Sequence, residues 1–262
     1  MSNDDAYDNS GHIPDAASYP PRWEAEALAF RHALGPRAVT NWSYGDNVRQ
    51  VFDLFMPEDP PKGLMVFIHG GYWRRFEPGI WSAFAQGGLD AGWAVVMPGY
   101  TLAPEARISR ITREIVQALS FMAETVPGPI RLSGHSAGGH LVARMLCGDA
   151  MLPAAVAARI EGCVPISPLG DLRPLIDTAM NADLGLTERE AAGESPTLLG
   201  RGLDVPVTVW VGGAERPAFV DQARGLAAAW GAPCEIVEGR HHFDVIDDLK
   251  DRDSALMRAI LG

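Results

Sequence analysis

Six short apolar runs place the tightest constraint on what this chain can fold into. Each run is followed within two residues by a glycine or a proline. The runs are 64–68, 93–97, 130–132, 163–166, 205–211 and 234–237. Continuous apolar runs of this length are typical of strands buried on both faces, which favours a mostly parallel sheet.

Two further strands are predicted at 38–44 and 50–56, joined by a turn at 45–47. Helical periodicity separates the runs, most clearly over 107–124, where apolar residues recur on one face. Other helices are predicted at 23–34, 140–146, 219–230 and near the C-terminus, between residues 245 and 260. This alternation predicts an α/β fold, a doubly wound sheet of about eight strands with helices on both faces.

The 262 residues suffice for one large core, so we expect a single domain over 1–262 without a large separate lid. Residues 1–22 are polar, acidic and rich in proline, which predicts a tail or wrapping arm. The segment 171–204 is long and weakly patterned, which is typical of a functional cap or rim.

A net charge of -11 argues against nucleic acid and anionic membranes as partners. No apolar run is long enough to span a membrane, no secretory signal is visible, and the three cysteines show no metal or disulfide spacing. We therefore expect a cytoplasmic protein that acts on a small molecule without metal or cofactor. The oligomeric state stays open, with a homodimer as one alternative.

The run at 130–132 leads directly into a G-x-S-x-G motif, in which Gly134 and Gly138 flank Ser136. A nucleophile on a tight strand-to-helix turn needs such neighbours, because larger side chains would collide across the turn. The helix that follows would point its N-terminal N–H groups at the serine. Ser136 is the predicted nucleophile. The motif alone would also suit a glycine-rich turn with an unrelated serine.

Ligands bind beyond the carboxyl ends of the strands in an open parallel sheet, and polar residues follow several of the predicted strands. Gly70 and Gly71 come after the run at 64–68 and can present backbone N–H groups to an oxyanion, together with Ala137 after the nucleophile. His69, beside them, is predicted to be a structural hydrogen-bonding group.

A serine needs a base to remove its proton and an acid to orient that base. Apart from His140, in the helix predicted after Ser136, only His241 and His242 lie downstream of this serine, so one of them is the predicted base. Glu215 follows the next-to-last strand and is the predicted acid, with Asp171 as the substitute.

These motifs resemble those of the kynurenine formamidases (arylformamidases) of the α/β-hydrolase fold. The resemblance runs from about residue 64 to the C-terminus. It rests on the pentapeptide His-Gly-Gly-Tyr-Trp at 69–73, the elbow at 134–141, and the segments 171–175, 211–219 and 242–243. It implies Ser136, an acid at position 215 and His242 as the catalytic residues. The family carries aspartate where this chain has Glu215. The segment 100–105 resembles the hormone-sensitive-lipase branch of esterases.

The resemblance implies hydrolysis of N-formylkynurenine to formate and kynurenine. Such a substrate needs an aromatic wall, for which we expect Tyr72 and Trp73, and a partner for its carboxylate, for which Arg74 or Arg75 is the hypothesis. Two alternatives remain. One is a carboxylesterase for small acyl esters, and the other is a hydrolase-fold binding protein that has lost catalysis.

Overall fold

A computed structural model describes residues 3–262 of the chain, and one eight-stranded sheet runs through them. The strands are β1 Ala38–Ser43, β2 Val51–Phe55, β3 Leu64–Ile68, β4 Ala94–Pro98, β5 Ile130–His135, β6 Ile160–Ile166, β7 Val209–Gly212 and β8 Cys234–Val237. Their spatial order is β1-β2-β4-β3-β5-β6-β7-β8. β1 and β2 pair antiparallel, as do β2 and β4, whereas the pairs from β4 to β8 are parallel. The predicted sheet is confirmed.

The α-helices are α1 Asp4–Tyr7, α2 Tyr19–Leu34, α3 Gln86–Asp90, α4 Ile108–Thr125, α5 Ala137–Met145, α6 Ala154–Ala157, α7 Asn181–Leu184, α8 Glu188–Gly193, α9 Pro217–Trp230 and α10 Ala255–Leu261. Two cores form, one on each face of the sheet. Buried residues of α4, α5 and α9 belong to the first core, and those of α2, α10 and the 3-10 segment Pro78–Ala85 belong to the second. Helices therefore cover both faces, as predicted.

Several element boundaries differ from the predictions. α2 begins at Tyr19 and not at residue 23, because Pro20 and Pro21 fall in the first turn, where a missing N–H costs no hydrogen bond. β7 begins at Val209 and not at residue 205, since Pro206 has no N–H to donate to a neighbouring strand. The predicted C-terminal helix is two pieces, a 3-10 turn at Asp247–Lys250 and α10, whose N-cap Ser254 accepts a hydrogen bond from Met257 N.

Two segments predicted from composition acquire structure through contacts with the rest of the chain. Residues 3–22 of the predicted arm form α1, two 3-10 turns and the first turn of α2, and several of them line the cleft at the carboxyl edge of the sheet. Residues 1 and 2 lie outside the described part. The segment 171–204 holds α7, α8 and two 3-10 turns. Among residues 3–262, no helix is long and apolar enough to cross a membrane.

Candidate active site

Ser136 occupies the sharp turn between β5 and α5. Its backbone has φ 57° and ψ -116°, a conformation that L-residues rarely adopt. Ser136 N donates to Ile166 O at 2.8 Å, and Ser136 O accepts from His140 N at 3.0 Å, so hydrogen bonds hold the turn on both sides. A strained backbone that its surroundings impose is typical of functional sites.

The two glycines of the motif are required by packing across this turn. A Cβ at Gly134 would lie 2.4 Å from Gly138 O, and a Cβ at Gly138 would lie 1.9 Å from Ile68 O. Both distances are far below van der Waals contact, so only glycine allows β3, β5 and α5 to approach this closely.

His242 and Glu215 form a buried pair beside the turn. His242 Nδ1 and Glu215 Oε2 lie 2.6 Å apart, and the Glu215 side chain is fully buried. The other carboxylate oxygen, Oε1, accepts from Ser167 Oγ at 2.5 Å and from Gly212 N at 2.8 Å. Three donors therefore fix this carboxylate, which can in turn fix the tautomer and orientation of the His242 ring.

Ser136 and His242 line the same cleft, which has a volume of about 650 Å³. The rings of His135 and Phe219 pack against His242 with centroid distances of 4.6 and 4.4 Å. No hydrogen bond joins Ser136 to His242 within residues 3–262. Such catalytic contacts often tighten only once substrate is bound.

Gly70 and Gly71 lie next to the nucleophile. A Cβ at Gly70 would come within 3.0 Å of Ser136 Cβ, and Gly71 has φ 112°, with Arg75 O only 2.6 Å from the position of a Cβ. Over residues 3–262, the N–H groups of Gly70, Gly71 and Ala137 donate to no acceptor of the protein. Three unpaired donors close to a serine can receive a developing negative charge.

Two buried histidines support this loop and the base without being positioned to act as bases themselves. His69 Nδ1 lies 2.7 Å from Gly70 O, and its ring stacks on Tyr100 at 4.6 Å. Burial lowers the pKa of His69 to about 4, and burial also holds the pKa of His135 well below its usual range. Both rings are therefore neutral at neutral pH.

Of the two aromatic residues of the pentapeptide that were expected to bind substrate, one lines the cleft and the other does not. Tyr72 lines the cleft, and its hydroxyl donates to Tyr7 O at 2.6 Å. Trp73 is fully buried against His140, at 5.1 Å between ring centroids, and does not reach the cleft. The expectation for Trp73 is therefore wrong: successive residues with positive φ turn its ring into the core. Phe76 and Phe243 line the cleft instead.

Arg74 and Arg75, the candidate partners for the substrate carboxylate, differ in their ion pairs. Arg74 forms an ion pair with Asp183 at 2.5 Å, whereas the exposed side chain of Arg75 forms no ion pair with any residue in the range 3–262. Both line the cleft.

The alternative acid and the second histidine have other contacts. The Asp171 carboxylate binds Arg173 at 2.7 Å and contacts no histidine in the described chain. His241 Nε2 lies 2.9 Å from the Tyr19 hydroxyl, and its Nδ1 accepts from Phe243 N at 3.1 Å. His241 thus ties α2 to the loop that carries His242.

Sequence reasoning missed Ser167 and the cleft residues of the arm. The position of Ser167, at the end of the strand beside the elbow, is a signal that could have marked it. No local pattern marks the arm, because its place depends on distant contacts. Among residues 3–262, no group of three or more His, Cys, Asp or Glu side chains could hold a metal ion.

Comparisons with known proteins agree with this geometry. A family model for the alpha/beta hydrolase fold matches residues 65–242. Kynurenine formamidase from Danio rerio is 29% identical over 234 residues, which cover 83% of this chain and 79% of that protein. The expected resemblance to kynurenine formamidases is confirmed.

Two solved structures are also similar. A protein from Silicibacter sp. TM1040, with a provisional thioesterase assignment, is 54% identical over all of both chains, with a TM-score of 0.98. Esterase B from Lactobacillus rhamnosis has a TM-score of 0.69 at 17% identity, and the match covers 93% of this chain and 91% of that one. At that identity the likeness concerns the fold alone. The relatives together support a hydrolase, and the match of the family model over most of the chain shows that this protein belongs to the α/β-hydrolase family.

Proposed function

We propose that this protein is a serine hydrolase that cleaves N-formyl-L-kynurenine to formate and L-kynurenine. The observation that supports the proposal is the hydrogen bond between buried Glu215 and His242, which lines the cleft of Ser136, close to the unpaired N–H groups of Gly70, Gly71 and Ala137. A nucleophile, a base, an acid and an oxyanion hole are the parts that acyl transfer requires.

In the first half of the reaction, Ser136 Oγ attacks the formyl carbon while His242 Nε2 accepts the hydroxyl proton. The carbonyl oxygen becomes an oxyanion, which accepts hydrogen bonds from the three free N–H groups. Each such donor lowers the barrier by about 3 kcal/mol. The C–N bond then breaks, and His242 gives its proton to the aryl nitrogen, so L-kynurenine leaves as a neutral aryl amine.

In the second half, water attacks the formyl group on Ser136. His242 removes one proton from that water, and the same oxyanion hole holds the new tetrahedral intermediate. The bond to Ser136 Oγ breaks, the proton on His242 returns to the serine, and formic acid leaves and gives its remaining proton to water to become formate. Glu215 keeps the imidazole in one tautomer and stabilises its charged form throughout.

The cleft suits a flat, aromatic substrate with a polar tail. Tyr72, Phe76 and Phe243 provide apolar ring surface. We infer that the guanidinium of Arg75, which lines the cleft and forms no ion pair among residues 3–262, meets the substrate carboxylate. The similarity to kynurenine formamidases over four-fifths of the chain supports the same substrate. An esterase or thioesterase is the competing function, supported by the likeness to the Silicibacter protein, because the catalytic groups alone do not fix the acyl group.

The test of the mechanism is kynurenine production from N-formyl-L-kynurenine by the wild type and by Ser136→Ala. We expect the variant to lose at least about a thousandfold in kcat, since the nucleophile is removed. Wild-type activity that survives in Ser136→Ala would contradict the serine mechanism. Circular dichroism of the variant controls for folding.

A further inference from the structure

Residues 3–22, called here the N-terminal arm, form one wall of the catalytic cleft. Eight cleft residues come from the arm, and they are Asp4, Tyr7, Asp8, Asn9, Ser10, Ala16, Ala17 and Pro20. Tyr72 and Arg75 of the loop after β3 line the same cleft, together with Ser136 and His242.

Hydrogen bonds hold the arm against three other parts of the chain. Asn3 N donates to Asp177 O at 2.9 Å, and Ala179 N donates to Asp4 Oδ1 at 2.6 Å. Gln222 Nε2 of α9 donates to the Tyr7 hydroxyl at 3.0 Å. The Tyr7 carbonyl accepts from Tyr72, so the arm is fixed to the loop of the proposed oxyanion hole as well.

Two charged side chains that line the cleft, those of Asp4 and Arg74, contact partners elsewhere in the protein. Asp4 accepts from Ala179, and Arg74 is paired with Asp183. Asp8 and Arg75 are both exposed at the cleft, and the Asp8 carboxylate accepts a local hydrogen bond from Gly11 N. Neither forms an ion pair within residues 3–262, with each other or with another residue. A carboxylate and a guanidinium that line one cleft can receive an ammonium group and a carboxylate of one ligand.

Asn9, next to Asp8, gives a second sign that the arm faces a ligand. Its side chain is buried, with 6% exposure, and its Nδ2 finds no acceptor within residues 3–262. A buried donor without an acceptor is destabilising, and native proteins rarely retain one. An acceptor on a bound ligand would satisfy it.

We propose that the N-terminal arm recognises the α-ammonium group of the substrate through Asp8, while Arg75 binds the α-carboxylate. The cleft then selects formamides that carry a free zwitterionic amino-acid end. This inference rests on the proposed function and names the part of that substrate which the arm contacts. Simple esters, which lack both charges, would gain nothing from either residue.

Asp8→Asn is a clean test, because the substitution removes the charge and keeps the local fold. Asp8 Oδ1 accepts from Gly11 N at 3.0 Å, and an asparagine oxygen can accept the same hydrogen bond. Asp15→Asn is the matched control: Asp15 is an exposed aspartate of the same arm that does not line the cleft. Its φ of 53° also suits asparagine.

The experiment compares kcat/KM for N-formyl-L-kynurenine with that for its deamino analogue, which keeps the formamide, the ketone and the carboxylate. We expect Asp8→Asn to lower the first value about three- to tenfold and to leave the second unchanged. Asp15→Asn should change neither. An equal effect of Asp8→Asn on both substrates, or no effect on either, overturns the proposal.

Arg75→Gln tests the proposed contact with the α-carboxylate. The comparison substrate is the decarboxylated analogue of N-formyl-L-kynurenine, which keeps the amine. We expect a similar loss for N-formyl-L-kynurenine and none for this analogue, with Arg113→Gln on the exposed side of α4 as the control. If the proposed function itself is wrong, the result is different. The wild type then cleaves neither N-formyl-L-kynurenine nor its deamino or decarboxylated analogue.

Discussion

Glu215 is held by more contacts than a simple acid–histidine pair needs. Its carboxylate accepts from His242, Ser167 and Gly212, and its side chain is fully buried. A glutamate reaches one methylene further than the aspartate found in the related family, and the donors from Ser167 and Gly212 fix that longer side chain. The change of residue type at this position is therefore compatible with the same role.

We expect Glu215→Gln to lower kcat by about a thousandfold or more, because an amide cannot stabilise the imidazolium and can favour the wrong tautomer. The measurement is kcat for N-formyl-L-kynurenine at neutral pH. Asp171→Asn serves as the control and should stay close to wild type, since Asp171 contacts Arg173 and no histidine. Normal turnover by Glu215→Gln would show that Glu215 is not the acid that orients His242.

Ser167 is expected to act through Glu215 as a positioning residue. Its φ of 47° suits glycine, so Ser167→Gly removes the hydroxyl without adding backbone strain. One lost hydrogen bond to a charged group predicts a drop in kcat of about tenfold, with KM little changed. A rise in KM at constant kcat would show instead that Ser167 acts in substrate binding.

At the scale of elements, the strands were the most predictable feature. Runs buried on both faces leave a continuous apolar signature, and β3, which is buried at all five residues, matches its predicted bounds residue for residue. β8 also matches its predicted bounds, but the expectation that it is buried on both faces is wrong, because it is the edge strand of the sheet and Glu235 and Ile236 are exposed. Trp73 and the N-terminal arm were not predictable in the same way. The direction of Trp73 depends on three positive φ values in the loop, and the arm depends on contacts with residues 174–222.

The close packing at the turn of Ser136 predicts how much stability is lost when a glycine there is replaced by alanine. Gly138→Ala would force a Cβ into Ile68 O, so we expect a loss of more than about 3 kcal/mol in the free energy of unfolding, or failure to fold. Gly225→Ala in α9 is the matched control, because its Cβ would meet no atom within 4 Å. There alanine should add about 0.5–1 kcal/mol, the difference in helix propensity. Urea denaturation gives both values, and equal effects at the two sites would contradict the packing account.

At the scale of the whole molecule, three buried histidines should make stability depend on pH. Burial lowers the pKa of His69 to about 4 and that of His140 to about 3, and it holds the pKa of His135 well below its usual range. The unfolded chain takes up protons below about pH 6.5, whereas these folded rings stay neutral. The stability that these three neutral rings contribute is therefore fully present above that pH, and it is lost as the pH falls towards their folded pKa values.

Each such histidine contributes a slope of about 1.4 kcal/mol per pH unit in this window. We expect the free energy of unfolding from urea denaturation to fall steeply between about pH 6.5 and 4.5, with His32→Gln, at an exposed position of α2, leaving the slope unchanged. A free energy that stays constant over this range would contradict the assignment of neutral buried rings.

The most direct test of the central claim is the substrate preference of the wild type. We would measure kcat/KM for N-formyl-L-kynurenine beside short-chain p-nitrophenyl esters and acyl thioesters under one set of conditions. The formamidase proposal predicts that the formamide is the preferred substrate, with kynurenine and formate released in equal amounts. Turnover of esters or thioesters without any release of kynurenine would contradict it.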